Sequence, residues 1–203
     1  MTLRHRRGIA AGLALAVGLL AACGDSENSG LPEADDRTAA TAESSATPTT
    51  EPTPTLATAY PEDGVDFVDL PEVAATHADG LAVFVAFERG NIRLYHEARM
   101  NDLVADNAST AVRDQFEASA ADLRAHDTVF QGTTTIEIRG VNDTQPNQLQ
   151  LAVCYDDTKT QQVKNGVGRP LRGDPRTAFN VIVSDLAGAW KVTAHRFQKG
   201  EKC

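Results

Sequence analysis

The stretch Leu149-Gln150-Leu151-Ala152-Val153-Cys154-Tyr155 decides the fold. Leucine, valine and tyrosine occupy every second position, a period of two that is typical of a β-strand with one buried face. Residues 129–141 are rich in β-branched side chains and predict a strand before it, and turn formers within residues 140–147 join the two. Residues 176–186 and 190–197 predict a third and a fourth strand. The second half of the chain is therefore expected to be an antiparallel meander.

The sequence before these strands has helical spacing instead. Asp69-Leu70-Pro71-Glu72 is typical of a helix start, because Asp69 can cap the helix and Pro71 needs no N–H in the first turn. We predict a helix from there to about Met100, and a second one from Ser109 or Asn107 to about His126. The face that the first helix is expected to bury consists of Ala74, Ala78, Leu81, Val85, Ile92 and Tyr95.

This order of elements predicts an α+β domain with two N-terminal helices packed on one face of a curved, four-stranded antiparallel sheet. Two motifs, Val153-Cys154-Tyr155-Asp156-Asp157-Thr158 and Gly188-Ala189-Trp190-Lys191-Val192, resemble the last strands of small actinobacterial lipoproteins that carry an NTF2-like or SnoaL-like domain. The resemblance covers roughly residues 72–197 and implies a cone-shaped domain. Its motifs are structural rather than catalytic, and the fold hosts enzymes, carriers and scaffolds alike, so it does not decide the function.

The beginning of the chain has the layout of an export signal. Three arginines precede an uncharged apolar segment, residues 8–22, that is too short to span a bilayer comfortably. The segment ends in Leu20-Ala21-Ala22-Cys23, which resembles the lipobox of bacterial lipoproteins. The resemblance implies that residues 1–22 are removed, that Cys23 carries a lipid, and that the protein is anchored at the outer face of the cytoplasmic membrane. An ordinary cleaved signal and a retained membrane helix are the alternatives.

Residues 23–60 are rich in serine, threonine and proline and nearly free of large apolar side chains, which predicts a disordered linker, either bare or O-glycosylated. Residues 61–203 have the composition of one folded domain. The net charge of −9 argues against a nucleic-acid partner, whose backbone requires cationic contacts, and against a polybasic membrane patch. The expected partners are the membrane, through the lipid, and a small apolar ligand or a cell-envelope protein.

Three cysteines are present. If Cys23 is lipidated, Cys154 and Cys203 remain, and an even remainder in an exported protein predicts a disulfide. Two unpaired thiols are the alternative. Two cysteines distant in sequence, with no matched histidines, do not predict a metal site.

The candidates for chemistry are histidines and acids that could meet inside such a domain. His96 follows the apolar stripe of the first helix, and Asp127 and Asp156 lie near the predicted ends of a helix and a strand. Alternation along the last strand predicts that His195 points away from Trp190 and Val192. Further histidines and acids, and an expected aromatic pocket, complete the set: His126, Asp157, Phe84, Phe87, Tyr95, Tyr155, Phe179 and Trp190.

Two functions from different classes fit these residues. The first is non-enzymatic binding of a small apolar ligand or a partner protein, which requires only an apolar pocket. The second is a hydratase-like or isomerase-like enzyme that uses His96 with one of the acids. No Ser/His/Asp motif, phosphate loop, metal-ligand spacing or dinucleotide fingerprint is present in the sequence, so we predict no cofactor and no metal.

Overall fold

The computed structural model describes residues 55–201 and 203. The predicted signal peptide, Cys23 and the linker up to residue 54 lie outside the described residues. Within the part that is described, no helix is long and apolar enough to cross a membrane.

Helices occupy the middle of the described chain and strands lie on both sides of them. A short 3-10 helix, Ala75–His77, precedes α1. The elements are β1 Ala59–Tyr60, β2 Val65–Phe67, α1 Ala78–Glu97, α2 Asp102–Asn107, α3 Thr110–Ala125, β3 Thr128–Gln145, β4 Gln148–Lys164, β5 Val167–Pro170, β6 Arg176–Asp185 and β7 Trp190–Phe197.

All seven strands of the described chain belong to one mixed sheet in the order β1-β2-β3-β4-β6-β7, with β5 paired to β4. Strand β2 runs parallel to β3, whereas the other neighbours are antiparallel. The inner face of the sheet packs against α1 and α3, and the alternating residues of the deciding stretch lie there. Leu149 and Leu151 are fully buried, and Val153 is 2% exposed.

The predicted fold class is therefore wrong in its element count and its sheet type. The described residues form three α-helices and a mixed, seven-stranded sheet where two helices and four antiparallel strands were expected. Strands β1, β2 and β5 have two, three and four residues, too few for a period of two to be recognised. The parallel pairing of β2 with β3 joins segments distant in sequence, and no local pattern predicts it.

The first helix starts later than predicted. The carboxylate of Asp69 accepts a hydrogen bond from the next backbone amide, Leu70 N, at 2.9 Å instead of capping a helix. The backbone is still extended at Ala74, with ψ of 147°. Helix α1 begins at Ala78 and ends where Ala98 adopts a left-handed φ of 50°.

The two glycines of α1 mark close packing rather than a kink. A Cβ on Gly80 would lie 2.9 Å from the ring of Trp190, and one on Gly90 would lie 2.7 Å from Leu103. Leu103 belongs to α2. Asn101 caps α2 by accepting a hydrogen bond from Val104 N at 3.2 Å, and its amide donates to the carbonyl of Gly90 at 2.8 Å. Helix α2 thus lies across α1.

Cys154 and Cys203 form the predicted disulfide, with their Cα atoms 5.5 Å apart. Cys154 lies on β4 between two inner-face residues, Val153 and Tyr155, so its side chain is on the outer face. The bridge fastens residue 203 to a central strand of the sheet. In the chain-entropy model, closing a loop of this length stabilises the folded state by about 4 kcal/mol.

Candidate functional site

A cavity of about 310 Å³ lies between α1, α3 and the inner face of the sheet. This volume is at the lower end of the range for small-molecule sites. Aromatic rings dominate the wall: Tyr95, Phe116, Phe130, Tyr155, Phe179 and Phe197.

Helical spacing brings the wall together. Asn91, Ile92 and Tyr95 stand within about one turn of α1 and point to the same side. Phe116 and Ser119, three residues apart on α3, face them. The ring of Phe87 lies behind this wall, 5.2 Å from the ring of Phe116, and keeps it in place.

A buried polar cluster forms one end of the cavity. It consists of Glu88 and Asn91 on α1, Tyr155 on β4 and His195 on β7, and we call it the polar floor. The Tyr155 hydroxyl donates a short hydrogen bond to Glu88 Oε2. Asn91 Nδ2 donates to the same carboxylate oxygen at 3.0 Å and to the Tyr155 hydroxyl at 3.2 Å. His195 Nε2 lies 2.9 Å from that hydroxyl.

The protons of the polar floor can be assigned by counting donors. Burial raises the pKa of Tyr155 well above its ordinary value, and the nearby charge of Glu88 raises it further. Tyr155 is therefore neutral, and its single proton points to Glu88. Its oxygen then accepts from Asn91 and from His195, which must carry a hydrogen on Nε2.

Two acceptors of the polar floor have no donor. Glu88 Oε1 and Asn91 Oδ1 are buried and make no hydrogen bond with any described residue. His195 Nε2 lies 3.6 Å from Glu88 Oε1, which is too long for a hydrogen bond. Glu88 is fully buried and Asn91 is 1% exposed, so each unmet acceptor carries a desolvation cost. Asn91 lines the cavity, where a ligand can supply a donor.

His195 belongs to the polar floor because strand β7 contains a bulge. Val192 pairs with Val183, and His195 pairs with Val181. Both partners, Val183 and Val181, are fully buried. The register shifts between Val183 and Ile182, so Thr193 is one extra residue on β7. The prediction that His195 points away from Val192 is therefore wrong, since the bulge turns both toward the helices.

Asp157 provides the other acidic group of the cavity wall. Thr134 Oγ1 donates to its carboxylate at 2.6 Å. Burial raises the pKa of Asp157, and the hydrogen bond from Thr134 offsets part of this. Burial also lowers the pKa of His96, which lines the same cavity and packs against Gly64, so His96 is neutral at pH 7.

The structure brings together some of the predicted site residues and separates others. Tyr95, Tyr155, Phe179 and His96 line the cavity. Phe84 and Phe87 are fully buried in the hydrophobic core instead. The ring of Trp190 packs on His77, with centroids 5.8 Å apart, and covers Gly80.

The predicted acids also separate. Asp127 forms the turn after α3, with a φ of 45°, and does not line the cavity. Asp156 forms an ion pair with Arg176 at 3.3 Å, while its neighbour Asp157 faces the cavity. Exposed His126 lies 3.3 Å from Asp122 on α3. Within residues 55–201 and 203, no group of three or more histidine, cysteine or acidic side chains is placed to hold a metal ion.

Glu88 and Asn91 were missed, although the sequence contains a signal for Glu88. It lies three residues after Val85 and four before Ile92, and both neighbours are on the apolar stripe of α1. A carboxylate at such a position becomes buried when the apolar stripe of the helix packs against the sheet. A charged residue within a strongly apolar helical stripe is the pattern that would have found it.

Comparisons with known proteins identify no family and only distant structural likenesses. No family model matches the chain, and no curated protein matches it. Among solved structures, the intermembrane space region of the chloroplast protein ARC6 superposes with a TM-score of 0.44 at 9% identity, covering 63% of this chain and 98% of that one. The VirB8 protein of Agrobacterium tumefaciens superposes with a TM-score of 0.32 at 16% identity, covering 63% of this chain and 95% of that one. These scores are too low to carry a functional argument.

Proposed function

We propose that this protein is an extracytoplasmic, lipid-anchored binding protein that holds one small, mainly apolar molecule in the cavity between α1, α3 and the sheet. The observation that carries the proposal is the wall itself: six aromatic rings surround a space of about 310 Å³ that has a buried polar floor. Sites for small molecules combine these features, an apolar wall for affinity and a few polar groups for orientation.

The anchor in this proposal is Cys23, at the end of Leu20-Ala21-Ala22-Cys23. Two or three acyl chains on one residue hold a protein firmly at a membrane, whereas a single chain holds it weakly. Mass spectrometry of the N-terminal peptide tests this directly. A lipid adduct on Cys23 supports the anchor, and an unmodified thiol or an intact residue 22 overturns it.

Native mass spectrometry of the whole protein, as its exporting host produces it, tests the binding proposal. The matched variants are Ser119→Phe, which places a ring in the cavity wall, and Ala118→Phe, which places the same ring on the exposed side of α3. We expect a small non-covalent adduct that Ser119→Phe abolishes and Ala118→Phe retains. An adduct that survives both substitutions lies elsewhere. A bare mass in all three favours a protein partner instead, and cross-linking in intact cells would then identify it.

A specific observation favours a second candidate, an acid–base enzyme. His195 lines the cavity and is joined to Glu88 through the Tyr155 hydroxyl, a hydrogen-bonded chain that is able to move a proton. Of the acids expected from the sequence to work with His96, Asp157 lines the same cavity as His96, whereas Asp127 and Asp156 do not. If the recovered ligand is chemically altered after incubation with the protein and unaltered with His195→Gln, the enzyme is the better description.

A further inference from the structure

The charges around the cavity have one sign. Asp157 lies in the wall, and Glu88 lies directly behind Tyr155 at the polar floor. Among the described residues that line the cavity there is no lysine or arginine. Burial lowers the pKa of His96, so this histidine of the wall does not reverse the sign, and the hydrogen on His195 Nε2 is directed to the Tyr155 hydroxyl.

The polar atoms of the floor that lack a hydrogen-bond partner are also all of one kind. Glu88 Oε1 and Asn91 Oδ1 are both acceptors. Exchanging the oxygen and nitrogen of Asn91 would not help, since its Nδ2 already serves Glu88 Oε2 and the Tyr155 hydroxyl. The polar floor therefore lacks donors and has acceptors to spare, which an anionic ligand would make worse.

The aromatic wall supplies the remaining element. Ring faces carry a negative quadrupole, and cations bind over them, with the largest gain at desolvated sites. The rings of Tyr95 and Phe130 meet at a right angle, with centroids 5.6 Å apart, and the Tyr155 and Phe179 rings lie 4.7 Å apart on another side. Faces and edges at several orientations enclose a ligand instead of stacking on one side of it.

We infer that the ligand is a small organic cation, an alkylammonium or arylammonium whose charged nitrogen lies at the polar floor and whose apolar body fills the aromatic wall. Asn91 Oδ1 accepts from the ammonium, and the charges of Glu88 and Asp157 stabilise it through space. This inference rests on the proposed function, because it names the class of ligand that the same cavity takes.

A carboxylate ligand fits less well because it would bring a second negative charge to Glu88 with no cationic side chain to meet it. A bare metal ion fits less well because the wall offers apolar rings where it would need a shell of oxygen ligands. A neutral alcohol satisfies one acceptor but gains nothing from the two carboxylates. Only an organic cation uses the two carboxylates, the unmet acceptor of Asn91 and the aromatic rings together.

The test compares three probes of similar size: benzylammonium, benzyl alcohol and phenylacetate. Isothermal titration calorimetry at pH 7 uses the whole protein as its exporting host produces it. We expect benzylammonium to bind at least about ten times more tightly than benzyl alcohol, and phenylacetate to bind most weakly. Equal affinities for all three probes would overturn the cation inference and leave the proposed function standing. No binding of any probe at millimolar concentration would overturn both.

Substitutions test whether the carboxylates, rather than the apolar cavity, cause the preference for benzylammonium. Glu88→Gln and Asp157→Asn each remove one carboxylate, and their matched controls are Glu97→Gln on the same helix and Asp156→Asn on the same strand. We expect each cavity variant to weaken benzylammonium about ten-fold while benzyl alcohol changes less than two-fold, and the controls to behave as the wild type. Asp157→Asn keeps the test decisive if Glu88→Gln does not fold. An unchanged preference in Asp157→Asn and in a folded Glu88→Gln would contradict the inference.

Discussion

Two buried carboxylates, Asp63 beside α1 and Glu88 on it, have different surroundings. Asp63, 1% exposed, packs against α1 from the turn between β1 and β2, and Glu88 is a fully buried residue of α1 itself. Arg89 Nε lies 2.7 Å from Asp63 Oδ2, and Arg93 Nε lies 3.3 Å from Oδ1. Glu88 is bonded only by a phenol and an amide, with His195 beyond hydrogen-bond distance. Burial is the same, but Asp63 has two arginine partners and Glu88 has none.

The difference separates a structural acid from a candidate functional one. Asp63 joins the β1–β2 turn to α1, and Arg89, one residue after Glu88, stacks 4.1 Å above the ring of Tyr60 on β1. In this region Asp63 is joined to two arginines by ion pairs, although its Oδ1, like Glu88 Oε1, makes no hydrogen bond. The polar floor keeps an uncompensated charge and two free acceptors beside a cavity, at a cost in stability that a bound cation would offset.

The largest effect should come from breaking the compensated region. We expect Asp63→Asn to lower the free energy of unfolding by about 2 to 3 kcal/mol, because it leaves Arg89 and Arg93 without their shared partner, partly offset by their exposure to solvent. Urea denaturation measures the change. Glu62→Gln is the control, since the exposed Glu62 also pairs with Arg89 but should contribute less than about 0.5 kcal/mol. Equal losses in the two variants would show that Asp63 has no special role.

Breaking the polar floor at its centre should cost less. Tyr155→Phe removes the only hydroxyl that joins Glu88 to His195 and should lower the free energy of unfolding by about 1 to 2 kcal/mol. Tyr95→Phe, a matched control in the same wall, removes a phenol hydroxyl outside the polar floor and should cost less than about 1 kcal/mol. If Tyr95→Phe cost as much as Tyr155→Phe, the hydroxyl of Tyr155 would not hold the floor together.

The same contrast shows which features the sequence predicts. Helix α3 begins at Thr110, next to the predicted cap Ser109, and β6 and β7 follow the predicted strands closely, since each is a run of eight residues or more. The ion pairs of Asp63 depend on β1 and β2, which are too short to show a period. His195 was assigned to the wrong face because a single extra residue, Thr193, reverses an alternation and leaves no local trace. The site was thus predicted only where its residues belong to regular elements.

Neutralising Glu88 should change stability less than Asp63→Asn or Tyr155→Phe. We expect Glu88→Gln to alter the free energy of unfolding by less than about 1 kcal/mol, since removing a buried charge without a cationic partner offsets the hydrogen bonds it weakens. Urea denaturation, beside Asp63→Asn, gives the comparison. A loss as large as that of Asp63→Asn would mean that Glu88 is structural, and the contrast between the two acids would fail.

The smallest effect concerns Asp156 and Asp157, neighbours on β4 that repeat the contrast. Burial raises the pKa of Asp157, whereas hydrogen bonds from Thr158 lower the pKa of Asp156. A raised pKa means that the native state binds the proton more tightly than the unfolded chain, so Asp157 makes stability fall as pH rises from its ordinary value through the raised one. Asp156 acts in the opposite sense, because its contribution is present above its ordinary pKa and is lost as pH falls through the lowered value.

Urea denaturation between about pH 3 and pH 6 separates the two neighbours. The free energy of unfolding of Asp157→Asn should rise relative to that of the wild type as pH rises across this window, because the variant lacks the charge that burial penalises. The free energy of unfolding of Asp156→Asn should fall relative to that of the wild type over the same window, because the variant lacks the carboxylate that accepts from Thr158 N at 3.0 Å. Parallel curves for the two variants would place both carboxylates in the same environment and remove Asp157 from the cavity wall. Opposite slopes would show that adjacent acids on one strand face the cavity and the solvent respectively, as the alternation of a β-strand requires.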